Sequence, residues 1–288
     1  MTGRIMLALL VIIPAAMAYP WQTTLDWWLV GIAVAVVLVV FAWWRGTFLT
    51  TLAARRLALL RRNDEPRHQV QHSGTDAHTT VVLRVHSSHD DEEMLSTLAG
   101  YLDRYGVRSE SVRVTHRDTR SGRATWIGLT LSAVTNLTAL QARSEDIPLR
   151  ETAEITLRRL ADHLRELGWS VSTVDVHIPD VVGPEPKERW RAVEDGTRGY
   201  VTCYTVATDG DLAQTLSEIR TAASTEVWTA VELTGTPARP EVAVVCAIRT
   251  DELPTAAPLP TLNPLRGRQR VILAALHPET TERLTVRT

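Results

Sequence analysis

Lysine is all but absent from this sequence. Lys187 is the only one, and every other basic side chain among the 31 is arginine. That bias suggests a coding sequence rich in G and C rather than a mechanism. Cysteine is scarce too: Cys203 and Cys246 both sit in apolar, strand-like runs, which suits two buried free thiols in a reducing compartment. There is no Walker A loop, no Gly-x-Gly-x-x-Gly, no Gly-x-Ser-x-Gly and no His-Glu-x-x-His, so none of the common phosphate, nucleophile or zinc signatures is offered. Charge is missing from two long stretches. None lies between Arg4 and Asp26, and none between Asp26 and Arg45.

Those two gaps organise the chain. A charge-free apolar run such as residues 27–44 is about what a helix needs to cross a hydrocarbon core of roughly 30 Å. Its indoles stand in pairs at either end, Trp27 with Trp28 and Trp43 with Trp44, where an amphipathic ring settles at headgroup level. The first gap reads either as a transmembrane helix over about residues 5–25, with Pro14 as a tolerated kink, or as a secretory signal ending at Ala16-Met17-Ala18. Arg4 on one side, and Arg45, Arg55, Arg56, Arg61 and Arg62 on the other, place both flanks in the cytoplasm by the positive-inside rule. The expectation is a two-helix hairpin over residues 1–45, two-pass in an inner membrane, with both termini cytoplasmic.

A basic juxtamembrane helix is expected over residues 46–62. Leu49, Leu52, Leu57 and Leu60 recur at helical spacing among the arginines. Arg45, Leu49, Leu52, Arg55, Arg56, Arg61 and Arg62 are the candidate contacts, either to anionic membrane lipid or to a partner's cytoplasmic stalk. Residues 63–78 are polar and carry Pro and Gly, and read as a linker. The whole chain holds 31 basic and 33 acidic side chains, and residues 1–62 take six Arg and one Asp of these. Residues 63–288 are left with 25 and 32, a net of about −7, which suits no phosphate backbone and excludes nucleic acid as a natural partner.

Residues 79–288 form an α+β or α/β domain with mixed sheets. Strand, helix, strand, strand is the order over about 80–133, and the same order returns over 200–249, an internal β-α-β-β duplication in pattern. Between them, a helix over 149–167 has the strongest apolar stripe, a strand is expected over 170–178, and 179–199 reads as loop. A last apolar strand is expected over 271–276.

Candidate chemistry is thin. His86, His89 and Asp90 to Glu93 gather polar groups, but acidic residues in a helix's first turn answer the macrodipole, and no ligand pair stands at metal spacing. Asp209 and Asp211 form an Asp-x-Asp after a strand, which in nucleotide-sugar transferases holds a divalent cation; Asp-Gly at a strand-to-helix junction is equally ordinary turn and cap chemistry. Thr115-His116-Arg117-Asp118 ends a strand and reads as a polar turn or as a base with an anion clamp. Arg266, Arg268 and Arg270 read as a solvated loop or as a clamp for phosphate or carboxylates. No catalytic residue, cofactor or metal is assigned.

Pro20-Trp21-Gln22-Thr23-Thr24, Ala42-Trp43-Trp44, residues 100–106 (GYLDRYG), Thr115 to Asp118, residues 158–165 (RRLADHLR) and Arg266-Gly267-Arg268 carry a resemblance, over nearly the whole length, to the EccE family of mycobacterial type VII (ESX) secretion systems. In detail the chain is most similar to the paralogue of the ESX system tied to siderophore-dependent iron acquisition. The resemblance implies a non-enzymatic inner-membrane subunit with two N-terminal transmembrane helices that assembles with EccB, the ATPase EccC and EccD, and is needed for assembly and hence for export. The alternative is a membrane-tethered enzyme, intact or degenerate, that binds a nucleotide-sugar through Asp209 and Asp211.

Overall fold

The structure is a computed structural model. It describes residues 77–284 except 87–89, 145–146, 175, 209 and 223–224, together with the backbone of 43–44 and 47–48. The expected hairpin indoles Trp27 and Trp28, and Leu49, Leu52, Arg55, Arg56, Arg61 and Arg62, lie outside the described residues. So does Arg45, between the two short strands β1 (Trp43–Trp44) and β2 (Thr47–Phe48), which pair antiparallel. Helix was expected through this point, and the four residues whose backbone is described here are strand. Among the described residues no helix is long and apolar enough to cross a membrane.

The second unit of the chain, Pro66–Thr288, is built on the repeated β-α-β-β order. The first pass is β3 (His78–Val85), α1 (Asp91–Ala99), then β5 (Val107–Thr119) and β6 (Gly122–Ser132), with the two-residue β4 (Asp103–Arg104) ahead of β5. The second pass is β10 (Tyr200–Val206), α4 (Leu212–Ala222), β11 (Glu226–Thr236) and β12 (Arg239–Thr250). Between them come α2 (Leu137–Gln141), α3 (Leu149–Glu166), β7 (Val171–Ser172), β8 (Lys187–Glu188) and β9 (Val193–Glu194). After them come β13 (Leu262–Pro264) and α5 (Gln269–Ala275).

All the strands of this unit join one 11-stranded sheet: nine follow in the order β7-β3-β6-β5-β11-β12-β10-β9-β8, β13 pairs with β10 and β4 pairs with β5. Every ladder in it is antiparallel. The expectation of mixed sheets is therefore corrected. In each pass the helix carries the chain over one strand position, and the hairpin return of the third strand fills the gap, a split β-α-β arrangement. The first and second strands of each pass run parallel but never touch. The two second strands, β5 and β11, pair at the centre, with Val114 opposite Val231.

Both faces of the sheet are covered, which explains why β6 is buried along nearly its whole length rather than alternating. On one face Leu83, Val112, Val114, Ile127 and Leu129 meet Met94 and Leu98 of α1 and Leu157, Leu160 and Leu164 of α3. Farther along, Val227, Val231, Val244 and Cys246 meet Leu216 and Ile219 of α4. Helix α3 ends as its sequence suggests: Gly168 adopts φ +88°, and the amides of Gly168 and Trp169 donate to Arg165 and Leu164 carbonyls.

The opposite face carries almost no regular structure. Trp126, Trp228, Ala230, Val245, Ala247 and Cys203 lie under Val181, Val193, Ile272, Leu273, Leu276 and Leu284. Here two expectations fail. The strand expected over 170–178 is only β7, two residues long, and the apolar run expected as a last strand, residues 271–276, is helix α5 followed by turn. Short apolar runs do not reveal their period; tertiary contacts decide. Gln269, fully buried, accepts the Cys203 amide at 2.6 Å and donates to the Leu265 carbonyl at 2.6 Å. The Glu188 carboxylate then accepts the free amides of Gln269 and Arg270 at the helix start.

Gly128 makes the close approach of the C-terminal segment possible. A Cβ there would stand 2.7 Å from the Pro278 carbonyl oxygen. Gly128→Val is expected to lift that segment and to destabilise the protein by about 1–3 kcal/mol, the usual range for overpacking. Thermal unfolding of the full-length protein in detergent, followed by near-UV circular dichroism, checks this; an unchanged midpoint would contradict the packing described.

Candidate functional site

The sequence candidates are dispersed. Asp209 lies outside the described residues, while the Asp211 side chain accepts the Gln214 amide at 3.0 Å and so caps α4. His86 lies beside 87–89, which are outside the description, and Asp91 is engaged elsewhere. Arg266 and Arg268 are exposed, and Arg270 donates to the Pro186 carbonyl. Among the described residues no group of three or more His, Cys, Asp or Glu side chains is arranged to hold a metal ion. A shallow open hollow beside α4 is lined by Gln214, Ser217, Glu218, Thr221, Ala222 and Leu259, with no acid–base pair converging in it. Burial raises the thiol pKa of both Cys203 and Cys246, which keeps them protonated and unreactive.

Thr115 to Asp118 is not a turn. The β5–β6 hairpin extends to Thr119 opposite Gly122, and these four residues lie within the sheet on alternate faces. His116 is buried towards α1. Its Nδ1 lies 2.9 Å from Thr125 Oγ1, and its Nε2 is 3.5 Å from Asp91 Oδ1. Arg123 holds Asp118 through two nitrogens, at 2.8 and 3.2 Å, and reaches Asp91 at 3.1 Å. Burial and the Arg123 charge, with a smaller contribution from Arg220, outweigh the Asp118 carboxylate, which favours the imidazolium, and lower the His116 pKa to about 3.

On the other face, charges inside apolar strand runs find one another. The Arg249 guanidinium of β12 donates to Glu226 Oε2 at 2.8 Å, Asp195 Oδ2 at 2.8 Å and the Val181 carbonyl at 2.7 Å. Glu226 also accepts from Arg117 Nε at 2.6 Å and from the Trp228 indole at 3.1 Å. Burial works to raise the carboxyl pKa of Asp195 and of Glu226. Arg249, joined by the Gly183 amide at Asp195 and by Arg117 at Glu226, outweighs it and holds both below the ordinary value. Trp228 stacks on Trp126 with centroids 5.7 Å apart and planes 6° from parallel; Arg117 lies over the first ring and Arg84 over the second.

A second set centres on Arg113 and Glu232, opposite each other in the β5–β11 ladder and 2.7 Å apart. Arg113 also donates to the carbonyls of Ala275 and Glu282. Glu232 accepts the Leu284 amide at 3.0 Å. These charges tie the irregular layer to the sheet. The only sign of them in the sequence is a charge inside an apolar strand run, as in Val112-Arg113-Val114 and Val231-Glu232-Leu233.

Two outcomes follow. Arg249→Met leaves Asp195 and Glu226 buried without their shared cation and is expected to cost about 3–5 kcal/mol, the range for breaking a buried pair from one side; equilibrium unfolding measures it. The His116 effect has a definite sign. The unfolded imidazole takes a proton below about pH 6.5 while the folded one resists to about pH 3. Its contribution is therefore complete above pH 6.5 and drains away as pH falls, by up to about 1.4 kcal/mol per pH unit. Unfolding midpoints between pH 7 and 5 should fall less steeply for His116→Gln than for the parent.

Residues 119–206 match the family described as "Putative type VII ESX secretion system translocon, EccE". The chain is 50% identical to the ESX-3 secretion system protein EccE3 of Mycolicibacterium smegmatis over 287 residues, covering 99% of this chain and 90% of that protein. It is 44% identical to the ESX-3 secretion system protein EccE3 of Mycobacterium tuberculosis over 290 residues, covering 98% and 86%. On this similarity across nearly its full length, the chain belongs to the EccE family of type VII (ESX) secretion systems.

Proposed function

We propose that this EccE-family subunit of a type VII secretion complex is a scaffold that holds the complex together, catalyses nothing itself, and is needed for export through that role. The observation that carries the reading is the 50% identity over 99% of the chain to a protein of the ESX-3 system. The engagement of the buried charges of β5, β11 and β12 with one another and with backbone supports it, since side chains spent on holding layers together are unavailable to a substrate. Asp211, the testable half of the proposed nucleotide-sugar pair, serves as a cap.

In this reading residues 1–45 form the two-pass inner-membrane hairpin with both termini cytoplasmic, its indoles Trp27, Trp28, Trp43 and Trp44 seated at the interfaces. Arg45 at the end of the hairpin, with Leu49, Leu52, Arg55, Arg56, Arg61 and Arg62 of residues 46–62, carries the contacts to lipid or partner, and residues 63–78 link them to the cytoplasmic domain. Helices within lipid associate by close packing rather than by hydrophobic drive, so the hairpin sequence itself matters. The partners are EccB-, EccC- and EccD-like subunits.

Purification of the tagged, full-length protein from its own cell in mild detergent tests the role. Recovery in a large assembly with an EccC-like ATPase and multispanning EccD-like proteins is expected; recovery alone or as a small homo-oligomer overturns it. Replacing residues 1–45 by an unrelated two-pass anchor should abolish that assembly and export with it, and normal export from the chimera would refute the scaffold role of the hairpin.

A further inference from the structure

The stretches GYLDRYG and RRLADHLR, fifty-odd residues apart in sequence, meet on the outer side of α3. Tyr101 is buried and holds the place: its hydroxyl lies 3.1 Å from His163 Nδ1, and its carbonyl accepts from Ser109 Oγ at 2.7 Å. The Arg104 guanidinium lies over the Tyr101 ring at 4.6 Å and over the Tyr105 ring at 5.1 Å, and Arg159 of α3 lies over Tyr105 at 5.1 Å. Two guanidinium groups and two phenol rings thus form a single cluster. Its outer ring, Tyr105, is 52% exposed.

Two features set this cluster apart from a solvated face. Tyr105 and Gly106 form the two-residue loop between β4 and β5, both at positive φ (57° and 71°). That is the pattern of a type I′ turn, which favours Asn, Asp or Gly at both places; a bulky ring there carries backbone strain. The strain presents an aromatic side chain to solvent. The other feature is charge. Asp103 is 3.6 Å from Arg108, Asp162 is 2.7 Å from Arg165, and Glu154 pairs with Arg150 and Arg158. Glu166 acts on Tyr101 from a distance. Among the described residues no carboxylate stands within 4.0 Å of Arg104 or Arg159. Arg104 Nη1 also lies 3.4 Å from His163 Nδ1; stacking occupies the faces of the two groups, and their remaining N–H edges are left for an acceptor. They stand on a region whose net charge is about −7, so the patch is a local reversal of sign.

We propose that Tyr105, Arg104 and Arg159 form a docking site for an acidic protein segment, a loop or helix end bearing Asp or Glu, on another subunit of the complex. An exposed tyrosine flanked by arginines is the composition of an interface hot spot. The carboxylates would take the guanidinium edges and the segment's apolar flank would cover the Tyr105 ring. Complementary charge sets which partner docks and in what register. The proposal rests on the scaffold reading above.

The test uses the tagged, full-length protein in its own cell, with Tyr105→p-benzoylphenylalanine for photo-crosslinking and mass spectrometry of the linked peptide. A crosslink to one other subunit, at a peptide containing Asp or Glu, is expected. Adding Arg104→Glu with Arg159→Glu should cut the yield about tenfold while the unfolding midpoint stays put, and changing the partner's carboxylates to Arg should restore it. Crosslinks to lipid alone, to peptides without Asp or Glu, or at a yield indifferent to charge reversal overturn the proposal. So does an intact complex that gives no crosslink, which leaves the scaffold reading standing. A chain that purifies without other subunits overturns both.

Discussion

The ladder between β5 and β11 is the interaction on which the domain depends. Eight residue pairs, from Glu226 opposite Thr119 to Leu233 opposite Val112, join two β-α-β-β units into one sheet. Each unit alone would offer three strands and an open, apolar edge at its second strand, a liability for any soluble protein. Pairing those edges with each other removes both at once and continues each apolar face into the next. The near-symmetry also sets the limits of the sheet: the first strand of each unit ends up flanking, where only short pieces such as β7, β9 and β13 add to it.

That arrangement leaves the face opposite the helices to be covered by chain with little regular structure. Irregular backbone needs hydrogen-bond partners wherever it is buried, and the sheet provides them from side chains. Arg249 serves the Val181 and Arg198 carbonyls, Arg113 those of Ala275 and Glu282, Glu232 the Leu284 amide, and Gln269 the Cys203 amide and Leu265 carbonyl. The charges balance in pairs, so desolvation is offset locally. The polar residues buried in the central strands thereby fix which stretch of loop lies over which strand.

Much of this was legible from the sequence where the signal is local. The stripe of Ala153, Leu157, Leu160 and Leu164 marked α3 and Gly168 its end; the repeated strand-helix-strand-strand order marked the two units. What was not legible depends on distant neighbours. Whether residues 271–276 are helix or strand is decided by Gln269 and Glu188, and the antiparallel character of the sheet by where β6 and β12 insert. His116 and Asp118 read as turn residues in the sequence because polar side chains ordinarily mark exposed chain; in the sheet they face Arg123 and Asp91. The cluster of Tyr101, Arg104, Tyr105 and Arg159 was present as two quoted stretches, but nothing in either stretch says that they touch.

The outermost strand at the β10 side is β8, and its Lys187 is exposed. It is also the chain's only lysine. Amine-directed chemistry therefore addresses one side chain here, at one border of the sheet, and leaves every arginine untouched. A fluorophore or short bifunctional reagent placed through that amine becomes a single-point ruler: any neighbour it captures must lie against the β8–β9 border of the second unit. The arginine bias of the composition has made the domain a singly addressable object without engineering.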